Sequence, residues 1–202
     1  MRLQADFYFD YGSPTSYLAW VQLPGIVERT GVTIRYKPIL LGGVLKAAGN
    51  ASPMEVPAKR NWMAKDVAAF ARRYGVPFRL NPLFPINTLA LMRGAIHAQR
   101  AGFLLPYSDA MFRAMWVDAR DLSNPAEIAE VLTQAGIDAE RLMAGAQEPA
   151  IKEALKTQTE AAVQRGLFGA PVLFVGEEMF FGQDRLPYAE EYLRSGIVPG
   201  SF

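Results

Sequence analysis

The stretch that decides the fold is Asp6-Phe7-Tyr8-Phe9-Asp10-Tyr11-Gly12-Ser13-Pro14-Thr15-Ser16. Its aromatic run at 6–10 predicts a short strand. Ser13 is a favoured N-cap residue, and a proline directly after the cap suits the first turn of a helix. We therefore predict a strand that turns into a helix whose N-terminus carries Ser13.

The residues that follow continue this alternation. Apolar residues at helical spacing predict a helix that ends near Gly31, with Pro24-Gly25 breaking or kinking its final turns. Residues 32–38 alternate like a strand. A strand, a helix and a second strand within about forty residues favour a parallel pair of strands.

The middle of the chain has a different character. Residues 40–57 are rich in Gly, Ala and Pro and indicate a loop or a short helix. Asn87 is a suitable N-cap for one of the helices that follow. Helices are predicted over residues 59–74, 87–101, 106–118, 124–135, 138–146 and about 149–165.

Strands return near the end of the chain. Residues 171–176 and 178–181 predict a β-hairpin, and a helix is expected over 186–194. The order strand–helix–strand, helices, strand–strand–helix matches an α/β thioredoxin-like fold with an inserted all-helical domain. We expect residues 1–40 plus 166–202 to form the thioredoxin-like domain and residues 41–165 to form the helical insert.

The composition of the 202 residues excludes several functions. The net charge of +1 includes no basic run, which argues against nucleic acid or anionic membrane partners. The absence of cysteine excludes disulfides, thiolate metal sites and a cysteine nucleophile. His97 is the single histidine and no acidic cluster has ligand spacing, so no metal is predicted. With no signal peptide and no apolar run of roughly 18 residues, a cytoplasmic location is expected.

The helix start at Ser13 suits an anion, because its backbone N–H groups are unpaired and the helix dipole is positive there. A thiolate would have a lowered pKa at such a place. The chain has no thiol, so any thiolate must arrive with a ligand, to which Ser13 could donate its hydrogen. The alternative is that Ser13 only caps the helix, and on this segment alone the cap is favoured.

Two later segments could complete a site. Pro171 opens an apolar strand after Gly-Ala, where a cis bond would expose the backbone of Ala170 to an extended peptide, although an ordinary edge-strand proline explains the pattern equally well. Gly182 would permit close approach of a ligand, and Asp184 could accept from its ammonium group. Simple helix capping by Gln183-Asp184 is the alternative there.

Together these segments resemble a known family. The run Phe7-Tyr8-Phe9-Asp10-x-x-Ser13-Pro14-x-Ser16-Tyr17-Leu18 is similar to the opening of the 2-hydroxychromene-2-carboxylate isomerases and the kappa-class glutathione transferases. The segments 84–88, 168–171 and 178–186 resemble the same family. The wider group includes disulfide oxidoreductases with Cys-x-x-Cys, where this chain has Ser13-Pro14-Thr15-Ser16 and cannot exchange disulfides.

The resemblance implies glutathione as the cofactor, with Ser13 beside its sulfur, and a homodimer by analogy. It implies that Ala170, before a cis Pro171, pairs with the cysteinyl part. The residues implied for the γ-glutamyl end are Gly182, Gln183 and Asp184. Those implied for the glycyl end and the substrate are Asn50 and Lys59.

The predicted activity is a glutathione-dependent isomerisation of 2-hydroxychromene-2-carboxylate-type substrates to trans-o-hydroxybenzylidenepyruvate-type products. A kappa-like transferase acting on small electrophiles and a non-catalytic binding module are the alternatives. Trp62, with Trp116 beside it, is expected to face the cleft that takes the small aromatic substrate. Candidate cations for the substrate's carboxylate are Lys46, Lys59 and Arg60. Some of the isomerases that the chain resembles place a lysine where this chain has Leu45, which leaves the natural substrate open.

Overall fold

The computed structural model describes residues 3–196, and its four strands form one mixed sheet. The strands are β1 (Gln4–Phe9), β2 (Thr33–Pro38), β3 (Val172–Val175) and β4 (Glu178–Phe181). Their order is β2-β1-β3-β4, with β1 parallel to β2 and the other pairs antiparallel. The α/β thioredoxin-like fold and its C-terminal hairpin are thereby confirmed.

Helices fill the space between β2 and β3 and flank the sheet. Within residues 3–196 they are α1 (Pro14–Trp20), α2 (Leu23–Thr30), α3 (Leu41–Ala47), α4 (Pro57–Tyr74), α5 (Leu89–Arg100), α6 (Leu104–Trp116), α7 (Pro125–Gln134), α8 (Ala139–Gly145), α9 (Pro149–Gln164) and α10 (Leu186–Ser195), with 3-10 turns at Pro53–Glu55 and Gln183–Arg185. None of these helices combines the length and the apolar character needed to cross a membrane. The division into residues 1–40 plus 166–202 and 41–165 stays a prediction, and its ends at 1–2 and 197–202 lie outside the described residues.

Several helix bounds differ from the prediction, among them those of α6, which spans Leu104–Trp116 rather than 106–118. The helix expected from Pro14 to Gly31 is two helices, because Pro24 lacks an N–H and therefore lies in the first turn of α2 rather than in the last turns of α1. The N-cap of α5 is Thr88 and not Asn87. The Asn87 side chain instead accepts from the Leu89 N–H at 3.0 Å, so it forms the turn just before the helix.

The core joins the sheet to the helical insert. Phe9 of β1 packs against Phe112 of α6 with ring centroids 5.8 Å apart, and Tyr11 lies 4.9 Å from the same ring. Trp116 is fully buried and donates from Nε1 to the Tyr11 carbonyl oxygen at 2.8 Å. Each such side chain contributes about 1.5–3 kcal/mol by leaving water. The end of β1 is therefore held rigidly from behind, which positions the residues that follow it.

Candidate functional site

A cavity of about 590 Å³ opens where β1 ends and α1 begins. Ser13 lies at its inner end, and Ala170, just before β3, lies beside it. The segment that leads from α3 into α4 and the turn after β4 form its sides. The cavity thus lies between the sheet and the helical insert.

Most of the predicted site residues line this cavity. They are Ser13, Asn50, Trp62, Ala170, Gly182, Gln183 and Asp184. Pro171 is buried directly behind Ala170. Lys59 is exposed on α4 and is not among the lining residues, and the same holds for the candidate cations Lys46 and Arg60. Leu45, where the resemblance would place a lysine, does line the cavity.

Ser13 is only 4% exposed and its hydroxyl is fully engaged. Its Oγ accepts from the Ser16 N–H at 3.0 Å, so Ser13 is the N-cap of α1. The same hydroxyl donates to the Ala170 carbonyl oxygen at 3.2 Å. The cap interpretation is therefore confirmed, because the oxygen of Ser13 accepts the capping hydrogen bond. The single hydrogen of the same hydroxyl is used for the bond to the Ala170 carbonyl oxygen, just before β3.

Thr15 is a site residue that the sequence reasoning missed. Its Oγ1 lies 2.9 Å from Ser13 Oγ and 3.4 Å from the Ala170 carbonyl oxygen. Two hydroxyls therefore share one carbonyl acceptor on the cavity surface. A hydroxyl residue two positions after a predicted N-cap was the available signal.

Asp10, also missed as a site residue, ties three segments together. It is 1% exposed, and its two oxygens accept from the N–H groups of Gly12 and Leu41, each at 2.8 Å. The Thr88 side chain donates to the same carboxyl group. Burial raises the pKa of Asp10 above its ordinary value, although these hydrogen bonds oppose the rise. Asp10 therefore fixes the turn before Ser13 against the starts of α3 and α5.

Gly182 is placed where only glycine fits without strain. Its φ is 98°, and a Cβ there would lie 2.6 Å from Asp184 Oδ1. Its N–H donates to the Pro171 carbonyl oxygen at 2.9 Å, which holds the turn after β4 against the start of β3. The peptide bonds Ala170–Pro171 and Phe84–Pro85 are both cis.

Charged groups cluster at one side of the cavity. Arg185 forms an ion pair with Asp184 at 3.8 Å and is the only Lys or Arg among the described residues that line the cavity. Partial burial and the nearby charge of Asp184 raise the pKa of Asp66. Arg185 was missed because sequence alone does not show which surface cation faces a cleft.

Next to these charged groups, one turn before Asp66 on α4, the cavity has an apolar side that is open to solvent. Trp62 is 65% exposed, and it lines the cavity together with Met54, Met63 and Phe84. The expectation that Trp116 also faces the cleft is wrong, because its indole is buried against Tyr11 and Phe84 in the core. Asn50 donates from Nδ2 to the Phe168 carbonyl oxygen at 2.9 Å, which links this side to the segment before Ala170.

No group of three or more His, Asp or Glu residues within residues 3–196 has the geometry of a metal site. What the cavity does offer is a pair of hydroxyls, a backbone carbonyl, an acidic side with one arginine, and an apolar side. This combination suits a small ligand that has a peptide-like polar part and an apolar part.

Known proteins resemble the chain over nearly its full length. The family model of the DSBA-like thioredoxin domain matches residues 4–194. A 2-hydroxychromene-2-carboxylate isomerase of Sphingobium xenophagum is 36% identical, covering 96% of this chain and 99% of its own. The glutathione S-transferase kappa 1 of Caenorhabditis elegans is 29% identical, covering 94% and 90% respectively. A solved 2-hydroxychromene-2-carboxylate isomerase structure superposes with a TM-score of 0.84 at 32% identity, covering 95% of both chains.

Proposed function

Because this chain belongs to the 2-hydroxychromene-2-carboxylate isomerase family within the DSBA-like thioredoxin domains, we propose that it is a glutathione-dependent isomerase of 2-hydroxychromene-2-carboxylate-type substrates. Its products are then trans-o-hydroxybenzylidenepyruvate-type compounds. The observation that carries the proposal is the Ser13 hydroxyl, which lines a cavity of about 590 Å³ and is hydrogen-bonded to the Ala170 carbonyl oxygen at 3.2 Å.

The residues of the cavity fit glutathione. The Ala170 carbonyl oxygen is an acceptor suited to the backbone N–H of a cysteinyl group. Gly182 has no side chain to displace the Asp184 carboxylate, whose Oδ1 would lie 2.6 Å from a Cβ there, and this carboxylate suits the ammonium group of the γ-glutamyl end. Asn50 lines the same cavity and suits the glycyl end, whereas Lys59 is exposed and does not line the cavity.

When bound, glutathione supplies a nucleophilic sulfur that can add to, and leave from, a conjugated carbon of the substrate. Ser13 stabilises a negative charge at that place by donating its hydrogen. Its Oγ already accepts from the Ser16 N–H, and Thr15 can donate to it across 2.9 Å. The hydrogen of Ser13 is then free to turn from the Ala170 carbonyl toward a ligand anion. The Ser16 N–H and the Thr15 hydroxyl, by donating to Ser13 Oγ, strengthen the hydrogen bond that Ser13 gives to the anion.

The remaining groups act on the substrate. Trp62 and Met63 provide apolar area for an aromatic ring. Arg185 is the cavity cation available for a substrate carboxylate, since Lys46 and Arg60 do not line the cavity. Asp10 takes no direct part and positions the turn that carries Ser13.

A kappa-class-like glutathione transferase is the second candidate. It is favoured by Leu45, an apolar residue in the cavity at the place where the resemblance to the isomerases implies a lysine. An apolar side chain there enlarges the surface available to a small uncharged electrophile.

Two measurements test these proposals. Calorimetry at millimolar glutathione is expected to detect binding, and its absence would leave only a non-catalytic binding module. The absorbance of 2-hydroxychromene-2-carboxylate is then followed with substoichiometric glutathione, and equilibration without loss of free thiol is expected. Conjugation of a standard electrophile without equilibration would replace the isomerase with the transferase.

A further inference from the structure

A second cavity, of about 630 Å³, lies on the other side of α3. Its lining includes Gly43 and Ala47 of α3, whereas Gly42 and Leu45 of the same helix line the first cavity. The two cavities share no lining residue. The second cavity is therefore a separate feature, enclosed by α3, α5 and α9, to which no step of the proposed isomerisation assigns a role.

Arg93 of α5 lines this second cavity and lacks a partner. Its Nε is shielded from solvent and forms no hydrogen bond, and no ion pair joins its guanidinium to any residue within 3–196. Buried polar groups are almost always paired, and a charged group without a partner costs more than a neutral one. Because Nε is closed to solvent, a ligand in the cavity would meet the terminal Nη atoms of the same guanidinium, and an anion there would supply the missing partner.

The walls around Arg93 limit what that ligand can be. They are mostly apolar, with Leu89 facing Leu155 and Val163 of α9. The rim carries both signs of charge: Lys156 is paired with Glu153 at 3.6 Å. The lining lysines, Lys152 and Lys156, are balanced by the lining glutamates, Glu153 and Glu160, which leaves the single charge of Arg93 to be matched. An uncharged apolar molecule would leave Arg93 unpaired.

The cavity is held in shape before any ligand binds. Thr159 Oγ1 accepts from the Leu40 N–H at 3.1 Å and donates to the Leu155 carbonyl oxygen at 2.7 Å. The start of α3 is thereby fixed against α9, and Thr159 itself is buried. Because the cavity is already ordered, ligand binding loses no free energy to ordering its walls.

We propose that the second cavity binds a small organic monoanion, with its carboxylate on the guanidinium of Arg93 and its apolar body between α5 and α9. Arginine matches a carboxylate with two parallel hydrogen bonds, which sets the orientation of the ligand. The site is independent of glutathione and of the isomerase activity.

The experiment uses 2-naphthoate as the probe and 2-naphthamide as its uncharged counterpart, both titrated by calorimetry into the full chain. We expect naphthoate to bind at least about tenfold more tightly than the amide, since a hydrogen bond to a charged group is stronger than a neutral one. Arg93→Met, which keeps an apolar stem, should remove that preference. Equal affinity of the wild type for the two probes, or no binding of naphthoate, would overturn the proposal.

Two tryptophan substitutions on α3 separate the two cavities. Ala47→Trp fills the mouth of the second cavity without altering Arg93 and should weaken naphthoate binding by about tenfold or more. Leu45→Trp fills the first cavity and should leave that binding unchanged. The reverse pattern would place the probe in the first cavity and contradict the proposal. Thermal melting of Arg93→Met checks its folding, and should it not fold, the Ala47→Trp and Leu45→Trp pair decides the outcome.

Discussion

The two sides of the first cavity are built on different principles. Its floor, formed by Asp10, Ser13, Thr15 and Ala170, is polar yet almost inaccessible: Asp10 is 1% exposed and Ser13 is 4% exposed. Its wall, formed by Met54, Trp62 and Met63, is apolar, and Trp62 is 65% exposed. Polar groups are thus buried and apolar groups face solvent, the reverse of the usual arrangement.

The difference teaches which task each side can perform. The carboxyl group of Asp10 and the hydroxyl of Ser13 both have hydrogen-bond partners, so the floor can hold a charge in a fixed place once the Ser13 hydrogen turns toward it. The wall has few polar contacts and is suited to accept ligands of different shapes. We therefore expect changes in the floor to affect reaction rate and stability, and changes in the wall to affect substrate affinity.

The largest effect is expected for Ser13→Ala, which removes the hydroxyl that we propose donates to a ligand anion. Turnover should fall by about tenfold to a thousandfold, and the thiol pKa of bound glutathione should rise. Steady-state rates across pH and an absorbance titration of the thiol measure the two effects. An unchanged pH–rate profile would mean that the helix end alone activates the sulfur.

Asp10→Asn should destabilise the floor, because the amide oxygen can accept from only one of the two backbone N–H groups and the new NH2 group opposes the other. The loss should be about 1–3 kcal/mol in unfolding free energy. Burial raises the pKa of Asp10 in the folded protein. The contribution of Asp10 to the free energy of unfolding of the wild type is therefore greatest below the ordinary aspartate pKa, and it falls as the pH rises through the raised pKa.

The destabilisation caused by Asp10→Asn should therefore shrink as pH rises above about 4. Urea unfolding of both proteins between pH 4 and pH 8 measures this trend. A cost that grows with pH would show that the carboxylate is ionised and stabilised in the folded protein.

Thr15→Val should have a smaller effect, because it removes a donor behind Ser13 and keeps the shape of the side chain. We expect turnover to fall by about threefold to tenfold, from the loss of one hydrogen bond of about 0.5–1.5 kcal/mol. Thr15→Ser is the matched control and should retain activity. Equal rates for the valine and serine variants would exclude Thr15 from the hydrogen-bond chain.

Trp62→Ala tests the wall. The KM for an aromatic substrate should rise by about twofold to tenfold, with kcat and the affinity for glutathione nearly unchanged. The free energy of unfolding should change by less than about 0.5 kcal/mol, because the side chain is exposed. A large fall in kcat at constant KM would contradict the division between floor and wall.

The smallest effect is expected for Ser16→Ala. Ser16 is fully buried, and its hydroxyl has no hydrogen-bond partner among the described residues, in contrast to that of Ser13. Its removal should leave turnover unchanged and the unfolding free energy equal or higher by up to about 1 kcal/mol. Chemical denaturation beside the Ser13→Ala variant checks this, and a marked loss of activity would reveal a role for Ser16.

The sequence by itself determined the local features. Aromatic and apolar periodicity located the strands and nearly all helices, because that periodicity directly follows backbone geometry. The helix start at Ser13 followed from its cap and from Pro14, and the absence of cysteine excluded thiol chemistry by the chain itself. The boundary errors at Pro24 and Asn87 arose where one residue suits two neighbouring positions.

Only the tertiary structure decided which distant residues meet. Ser13 and Ala170 are 157 positions apart in the chain, yet they are hydrogen-bonded. The Asp10 carboxylate accepts from the Leu41 N–H, and no local sequence pattern predicts this hydrogen bond. The burial of Trp116 and the unpaired guanidinium of Arg93 likewise depend on how helices pack around them. Periodicity assigns a residue to a helix or strand, but the partner of a side chain is set by packing across the whole core, which no local stretch of sequence contains.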